Sequence, residues 1–472
     1  MSAGPRDQKI VISVVYVLAL FMSIMDSTIV NVTLPRIAVD LRVGTEHVGL
    51  ISQAYMVSLA VIIPSSGWLG DRFGGKRVLL TALAIFTTAS ILCGIASSFG
   101  QLVAFRVVQG VGGGMLVPVG LAMLYRTFPP AERVRLSSRL VLPTAVAPAL
   151  GPVLGGLLTT SLSWRWAFYV NVPIGLSAFV FGLAFLSEPD RTPVGAFDVK
   201  GFLLSAVGFA SLTYGASEGA RDGWRHGPVV ASLGVGVVCI VVLVVQQLRL
   251  RHPLLNLRLF VDPLFRSAVG SMVVGAGAFL GYLYLTALFL QDGLGVSPLI
   301  SGLATFPEAV GVMLGSQLAS RSLYARFGPR RLMSVGMLIV AAGMGSMAMM
   351  DEPRDLWLIR VLMFVLGLAW AHVLVPTQIV AFTRISPIDT GGASTLFSAL
   401  RQLGGAVGIA VLTSVIAAIG VLHRVDGAIA PNLRSYHVAF LVAAGLAVAA
   451  ALVASTIRHE DAVSTRSPAA KW

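Results

Sequence analysis

Apolar runs recur along the whole chain, at roughly 10–34, 48–69, 78–97, 101–124, 137–161, 165–186, 199–219, 227–248, 266–290, 299–320, 331–350, 356–380, 393–421 and 436–457. Each is close to the 20 or so residues that a helix needs to cross a bilayer. The connections between them are short and leave no room for a soluble domain. Fourteen runs, an even number, place both termini on the same side. Hydrophobic residues make up 56% of the chain and charged residues 12%, against about 25% charged in soluble domains. Such a chain lacks the polar surface to cover itself in water, so the expected fold is an all-α polytopic membrane protein. The first run follows MSAGPRDQK as a signal peptide's apolar region would. It continues into DSTIVNVTLP with no small-residue cleavage pattern, and so reads as an uncleaved first transmembrane helix.

The net charge of +13 invites a nucleic-acid reading, which the placement of the charges opposes. Twenty-three of the 34 Lys and Arg fall in alternate loops that include both tails, eight fall in the opposite loops, and Arg106, Arg360 and Arg401 lie inside apolar runs. That bias predicts cytoplasmic termini in a cell (cytoplasmic) membrane. No basic stretch is interleaved with aromatics in a soluble segment, so nucleic acid is not an expected partner. Cys93 and Cys239 sit in apolar runs, as packing residues do, and suggest neither a disulfide framework nor a metal cluster.

The chain also repeats itself. RFGGKRVL at 72–79 returns as RFGPRRLM at 326–333, an offset of 254 that also carries Arg106 onto Arg360 and Gly151 onto Gly405. The expected organisation is a six-helix half at 1–186, a linker with two extra helices at 187–265, and a second six-helix half with its tail at 266–472, the parallel-repeat plan of transporters.

Within this frame a few ionisable residues are out of place. Asp26 follows Ile10 to Met25, where Tyr16 is the one ionisable side chain. A charge at mid-bilayer depth costs about 2.5–3.5 kcal/mol on insertion scales and marks a functional site by default. Glu308, in GLATFPEAVGVML, is the other carboxylate well inside an apolar run. Counted from the helix ends, both acids lie about 15 Å deep, so one acid from each half is expected at matching height in a central cavity, binding protons or a cationic substrate. The alternative for Glu308 is a buried, protonated acid with no transport role. Two readings of Arg106 stand: its head snorkels to the nearer interface, or it supplies a positive charge that tunes a nearby acid.

GWLGDRFGGKRV (67–78) resembles the signature between helices 2 and 3 of the major facilitator superfamily, and FRVVQGVGGGMLVP (105–118) resembles its helix-4 motif. ALGPVLGG (149–156) is similar to the helix-5 motif of exporters and antiporters. MDSTIVNVTLP (25–35) and WRWAFYVNVPIG (164–175) resemble the fourteen-helix drug:proton antiporter branch, the EmrB/QacA type. The resemblance covers nearly the whole chain. It implies the major facilitator fold, two six-helix halves plus two extra helices, and a gating loop built from Gly67, Asp71, Arg72, Gly74 and Arg77. Asp71 is able to pair with a cation or to meet a helix N-terminus; Arg401 is a candidate partner from the other half. The second copy of the loop has Ala325 in place of Asp71, so any latch rests on the first copy. Pro148, Gly151, Pro152, Gly155 and Gly156 form the helix-5 motif, in which the prolines, with Pro143, are expected to disturb the helix.

There is no GxxxxGK[ST] loop for ATP, no HExxH and no Cys/His cluster. Nothing pairs a nucleophile with a base. No cofactor and no enzyme activity are expected; the proton gradient is the expected energy source. The function expected is proton-coupled export of amphipathic or cationic compounds by alternating access, with protons, membrane lipid and a small amphipathic or lipid-like substrate as partners. The alternatives are export of a lipid or an endogenous metabolite such as an antibiotic, or a non-transporting membrane sensor.

Overall fold

The computed structural model describes residues 5–44, 47–129, 132–188, 195–420, 422–425 and 428–458. Its helices are α1 (Pro5–Asp40), α2 (Leu50–Phe73), α3 (Gly75–Ile95), α4 (Phe99–Thr127), α5 (Arg133–Ser161), the single turn α6 (Trp166–Tyr169) and α7 (Asn171–Phe185). Then come α8 (Val199–Asp222) and α9 (Gly227–Arg249), followed by α10 (Pro263–Leu288), α11 (Pro298–Leu318), α12 (Tyr324–Ser346), α13 (Leu356–Ala381), α14 (Thr390–Ile419) and α15 (Leu433–Ser455). A short antiparallel hairpin, Leu422–Val425 with Ala428–Pro431, joins α14 to α15.

By length and hydropathy, twelve described segments qualify as membrane spans, fewer than the fourteen expected. One of the twelve, Leu299–Met349, holds both α11 and α12. A second helix, α5, falls outside the twelve and counts only as the shorter apolar helix Val146–Ser161. The apolar surface confirms the medium. Little of α9 is buried although it is strongly apolar, so Val235, Val237, Val238, Val241 and Val242 present an uncovered aliphatic face of the kind that lipid covers.

The 254-residue repeat governs packing as well as sequence. In the first half α1 packs on α5 and α7, α2 on α4, and α3 on α4 and α7. Advanced by 254 residues, these become α10 on α14 and α15, α11 on α13, and α12 on α13 and α15, and each of those pairs is present. The contacts between halves obey the same exchange: α5 packs on α11, and α14 on α2. Gly74 and Gly328, one repeat apart, both take positive φ, 96° and 74°. That conformation strains any side chain with a Cβ, and it is what lets the short connections of RFGGKR and RFGPRR turn. The extra pair α8–α9 lies outside the repeat, with α8 packed on both α2 and α14.

Polar side chains inside the apolar runs bond to the backbone of their own helix. In α1, Ser27 donates to the Ile24 carbonyl at 2.8 Å and Thr33 to the Val30 carbonyl at 2.8 Å. Helix 5 is not broken at its prolines: α5 is continuous from Arg133 to Ser161, with Pro148 half-buried. The side chains of Pro143 and Pro152 lie outside the described residues.

One of the tightest approaches in the second half is between α10 and α14, where a Cβ at Gly408 would overlap the backbone of Gly277. Gly408→Val is expected to destabilise the protein by about 1–3 kcal/mol or more through overpacking. Gly445→Ala, at a position with open space around it, should leave the melting temperature unchanged or raised. Thermal unfolding of the detergent-solubilised variants checks both.

Candidate functional site

Asp26 is fully buried in α1, and its carboxylate is held by side chains of α4 and α7 in the first half. Arg106 Nη1 of α4 donates to Oδ2 at 2.6 Å. Gln109 Nε2, one helical turn further along α4, donates to Oδ1 at 2.8 Å, and Asn171 Nδ2 of α7 donates to the same oxygen at 2.8 Å. Gln109 in turn donates to Ser90 Oγ of α3 at 2.6 Å and accepts from Arg106 at 2.6 Å. Arg106 also donates from Nε to the Ile51 carbonyl at 3.3 Å. Its guanidinium lies over the ring of Tyr55 at 4.3 Å and that of Phe168 at 5.7 Å. The carboxylate is thus held by one cation and two amides, the charge-assisted arrangement that makes buried hydrogen bonds strong.

The local sequence explains why these groups converge. A Cβ at Gly110 would lie 2.6 Å from the Tyr55 carbonyl, and one at Gly113 would lie 2.9 Å from the Tyr55 hydroxyl. These glycines therefore allow α4 to close on α2 and bring Arg106 within reach of Ile51 and Tyr55. Pro173 stands in the first turn of α7, where its missing N–H is tolerated, and the new helix start aims Asn171 into the bundle. Arg106, 1% exposed, does not snorkel; its guanidinium lies against the Asp26 carboxylate. Its repeat counterpart Arg360 is half-buried near the start of α13, and Leu280, the counterpart of Asp26, is 41% exposed.

Asp26 and Glu308 do not share a site. Every partner of Asp26 belongs to the first half, whereas Glu308 lies on α11, buried to 8% exposure. There the close approach of α13 is permitted by Gly367, whose Cβ would overlap the Glu308 carbonyl. Among the described residues the Glu308 carboxylate has no hydrogen bond or ion pair.

The gating loop closes one end of the bundle, the end where α1 starts and α15 finishes. Asp71 is buried at the end of α2 and accepts from Arg126 Nη2 of α4 at 2.6 Å. It also lies against the N-terminus of α14, where a Cβ at Gly391 would be 2.6 Å from its Oδ2. Gly67 meets the same helix, since a Cβ there would be 2.5 Å from Thr395 Oγ1 and 2.7 Å from the Gly391 carbonyl. Arg72 and Arg77 are exposed. Gly74 abuts Glu188, whose carboxylate accepts from the Lys76 backbone at 3.2 Å.

Arg401 is not the partner of Asp71. It lies eleven residues into α14, about 16 Å from the end that Asp71 meets. The cations that bridge the halves are Arg126, which donates to the Pro387 carbonyl at 3.3 Å, and Arg133. Arg133 donates to the carbonyls of Tyr125 at 2.9 Å and Phe128 at 3.2 Å in the first half, and of Phe382 at 2.7 Å in the second. Phe128 and Phe382 are one repeat apart, so Arg133 clasps the matching ends of α4 and α13.

In the helix-5 motif, Gly151 abuts the side chain of Thr28, and a Cβ at Gly155 would lie 3.0 Å from the Ile29 carbonyl. These two seat α5 on α1 next to Asp26. Gly156 has nothing within 4 Å and takes no part in that contact.

Sequence reasoning missed Gln109, Asn171, Arg126 and Arg133. The first two stand inside motifs already noted, FRVVQG and WRWAFYVNVP; a buried acid requires donors, and uncharged amides were its available donors. The two arginines carry no such signal, because in sequence they are indistinguishable from other loop cations.

The model of the Major Facilitator Superfamily matches residues 16–409. The chain is 34% identical over 406 residues to the multidrug resistance protein B homolog of Mycobacterium tuberculosis, covering 84% of this chain and 74% of that one. It is 32% identical to the putative multidrug resistance protein MdtD of Pectobacterium carotovorum, covering 83% and 84%. It is also 32% identical to the tetracenomycin C resistance and export protein of Streptomyces glaucescens, covering 83% and 73%. Among solved structures, the human organic anion transporter MFSD10 superposes with a TM-score of 0.66 at 17% identity, over 96% of this chain and 100% of that one. The proton:xylose symporter XylE gives 0.64 at 16% identity, over 95% of each. The fold and the buried charge site define a multi-pass membrane protein of the transporter class. The chain belongs to the major facilitator superfamily.

Removing either member of the Asp26–Arg106 pair strands the other as a buried charge, which costs about 3–5 kcal/mol. Asp26→Asn and Arg106→Gln are each expected to lower stability by that order, and the double variant Asp26→Leu with Arg106→Met to recover most of it. A double-mutant cycle by thermal unfolding measures the coupling; additive losses would show that the two do not act as a pair.

Proposed function

We propose that this chain is a proton-coupled exporter of amphipathic or cationic compounds, working by alternating access across the cytoplasmic membrane with both termini in the cytoplasm. The observation that carries this reading is the closed Asp26–Arg106–Gln109–Asn171 cluster. Protonating Asp26 would cancel its charge and leave Arg106 a buried cation held only by a side-chain amide and a backbone carbonyl. That state is costly, so a proton on Asp26 favours movement of α1 against α4. Two routes carry such a movement to the interface between the halves. Two residues beyond Asp26, α1 supports α5 through Thr28 and Gly151, and α5 packs on α11 of the other half. Helix α4 carries Arg106 at the proton site and Arg126 at the gate, twenty residues and about 30 Å apart.

The closed end, held by Asp71, Arg126, Arg133 and the start of α14, is read as the cytoplasmic gate in its locked, outward-facing state. The loop cations concentrated on that side support the orientation. No cofactor is required, because the membrane potential contributes about 2.3 kcal/mol per charge per 100 mV. Glu308 is then a second acid, remote from the first, for a proton or a cationic substrate. A second reading, export of a self-made antibiotic, is favoured by the name of the Streptomyces relative.

In proteoliposomes under an imposed proton gradient, the wild type is expected to move ethidium against its concentration gradient, and Asp26→Asn to lose gradient-driven movement while still binding the dye. Undiminished gradient-driven transport by the variant would remove Asp26 from the coupling step.

A further inference from the structure

At the end of the bundle opposite the gate, where α1 and α5 finish, the surface holds a recess of about 340 Å³ lined by Arg36, Asp40, Thr159, Thr160, Leu162 and Ser163. Its two charges are fixed side by side. Arg36 Nε donates to Asp40 Oδ1 at 3.2 Å, and the buried indole of Trp164 donates from Nε1 to Asp40 Oδ2 at 3.1 Å. Among the described residues Nη1 and Nη2 of Arg36 have no partner, which leaves most of its donors uncommitted. The Asp40 carboxylate keeps spare lone pairs in the same way. The last turn of α5 adds a third group. Thr160 donates to the Gly156 carbonyl at 2.8 Å and Ser161 to the Leu157 carbonyl at 2.6 Å, so both hydroxyls are satisfied within their own helix. Thr159 differs: its Oγ1 is buried and has no partner among the described residues. A buried hydroxyl left unpaired is costly, and this one belongs to a residue of the recess.

The recess lies at a boundary. On the same turns Val39, Leu157 and Leu162 are exposed, as is Trp166 just beyond. Apolar side chains with a tryptophan among them mark the level where hydrocarbon gives way to headgroups. A ligand suited to both parts carries apolar chains for this rim, an oxyanion for Arg36 and Thr159, and a hydrogen-bonding cation for Asp40. We propose that the recess binds the phosphoethanolamine headgroup of a phospholipid, with the phosphate on the Arg36 guanidinium and the Thr159 hydroxyl and the ammonium on Asp40. The planar fork of an arginine matches phosphate geometry, and an ethanolamine ammonium offers the N–H donors that a choline lacks. Free phosphate fits less well, since it would meet the Asp40 carboxylate without a cation between them and leave the rim bare. The site is separate from Asp26 and stands whether or not transport is driven by protons. It joins α1 to α5, the two helices that also meet beside Asp26 at Thr28 and Gly151.

The test titrates the purified, delipidated full-length chain with dioleoyl phosphatidylethanolamine, phosphatidylcholine and phosphatidylglycerol, and with chain-free glycerophosphoethanolamine, reading the first molecule bound by native mass spectrometry. One charge-assisted contact corresponds to about a tenfold preference. The wild type is expected to bind phosphatidylethanolamine about tenfold more tightly than either other lipid, and Arg36→Gln and Asp40→Asn to lose that preference. Thr159→Val should weaken phosphatidylethanolamine binding severalfold while the lipid-free protein unfolds at the same temperature or higher, because the hydroxyl it removes has no partner there. Equal binding of the three lipids by the wild type, or a preference undiminished in Arg36→Gln, overturns the proposal. Binding of glycerophosphoethanolamine as tight as that of the lipid also overturns it and assigns the recess to a soluble phosphoester. The Arg36 side chain is 60% exposed, so its replacement should leave folding intact; if a variant is not monodisperse, the wild-type comparison of the three lipids decides.

Discussion

The ion pair between Asp26 and Arg106 sets the terms for the first half of the molecule. Two opposite charges at membrane depth survive because each satisfies the other and because Gln109, Asn171, Ser90 and the Ile51 carbonyl absorb the remaining hydrogen-bonding capacity. The donors and acceptors come from α1, α2, α3, α4 and α7, so five helices must hold their relative positions for the charge to be tolerated. The glycines of the helix-4 motif follow from this requirement. They bring α4 close enough to α2 for a side chain anchored on one to reach a carbonyl on the other.

The same requirement makes the site responsive. A buried pair that is fully satisfied in one arrangement becomes a liability when one partner is neutralised, since its desolvation is no longer compensated. Helix α1 meets α5 at Thr28 and Gly151, and α4 carries both Arg106 and Arg126, so packed helices join the pair to the surface between the halves. The second half has no such cluster. Leu280 stands where Asp26 would be, and its buried Glu308 and half-buried Arg401 are unpaired among the described residues. The repeat thus preserves the backbone plan while the chemistry is divided between the copies.

Much of the fold was legible in the chain. Apolar runs of membrane-crossing length gave the helices, and the 254-residue offset anticipated the exchange of packing pairs, including the two positive-φ glycines at 74 and 328. The candidate site was legible in part. Asp26 and Arg106 stood out because charge in an apolar run is expensive, but their amide partners did not, since Gln and Asn are unremarkable in a membrane helix until an acid is known to lie beside them. Arg401 was misplaced because the start of its helix is not marked in the sequence: α14 begins at Thr390, eleven residues earlier, which sets Arg401 too deep for the gate. The continuous α5 shows that prolines do not by themselves break a membrane helix.

By itself, then, the sequence determined the medium, the helical class, the duplication and the presence of acids and cations too deep to be ornamental. Those properties depend on composition and spacing, which are local. The tertiary structure decided who pairs with whom: Asp26 with Arg106 inside one half, Asp71 with Arg126 and the start of α14 across both, and Glu308 and Arg401 left alone. Pairing depends on where distant helices bring their side chains within about 3 Å of one another. That is settled by close packing at residues such as Gly110, Gly151 and Gly391, whose partners lie far away in the chain.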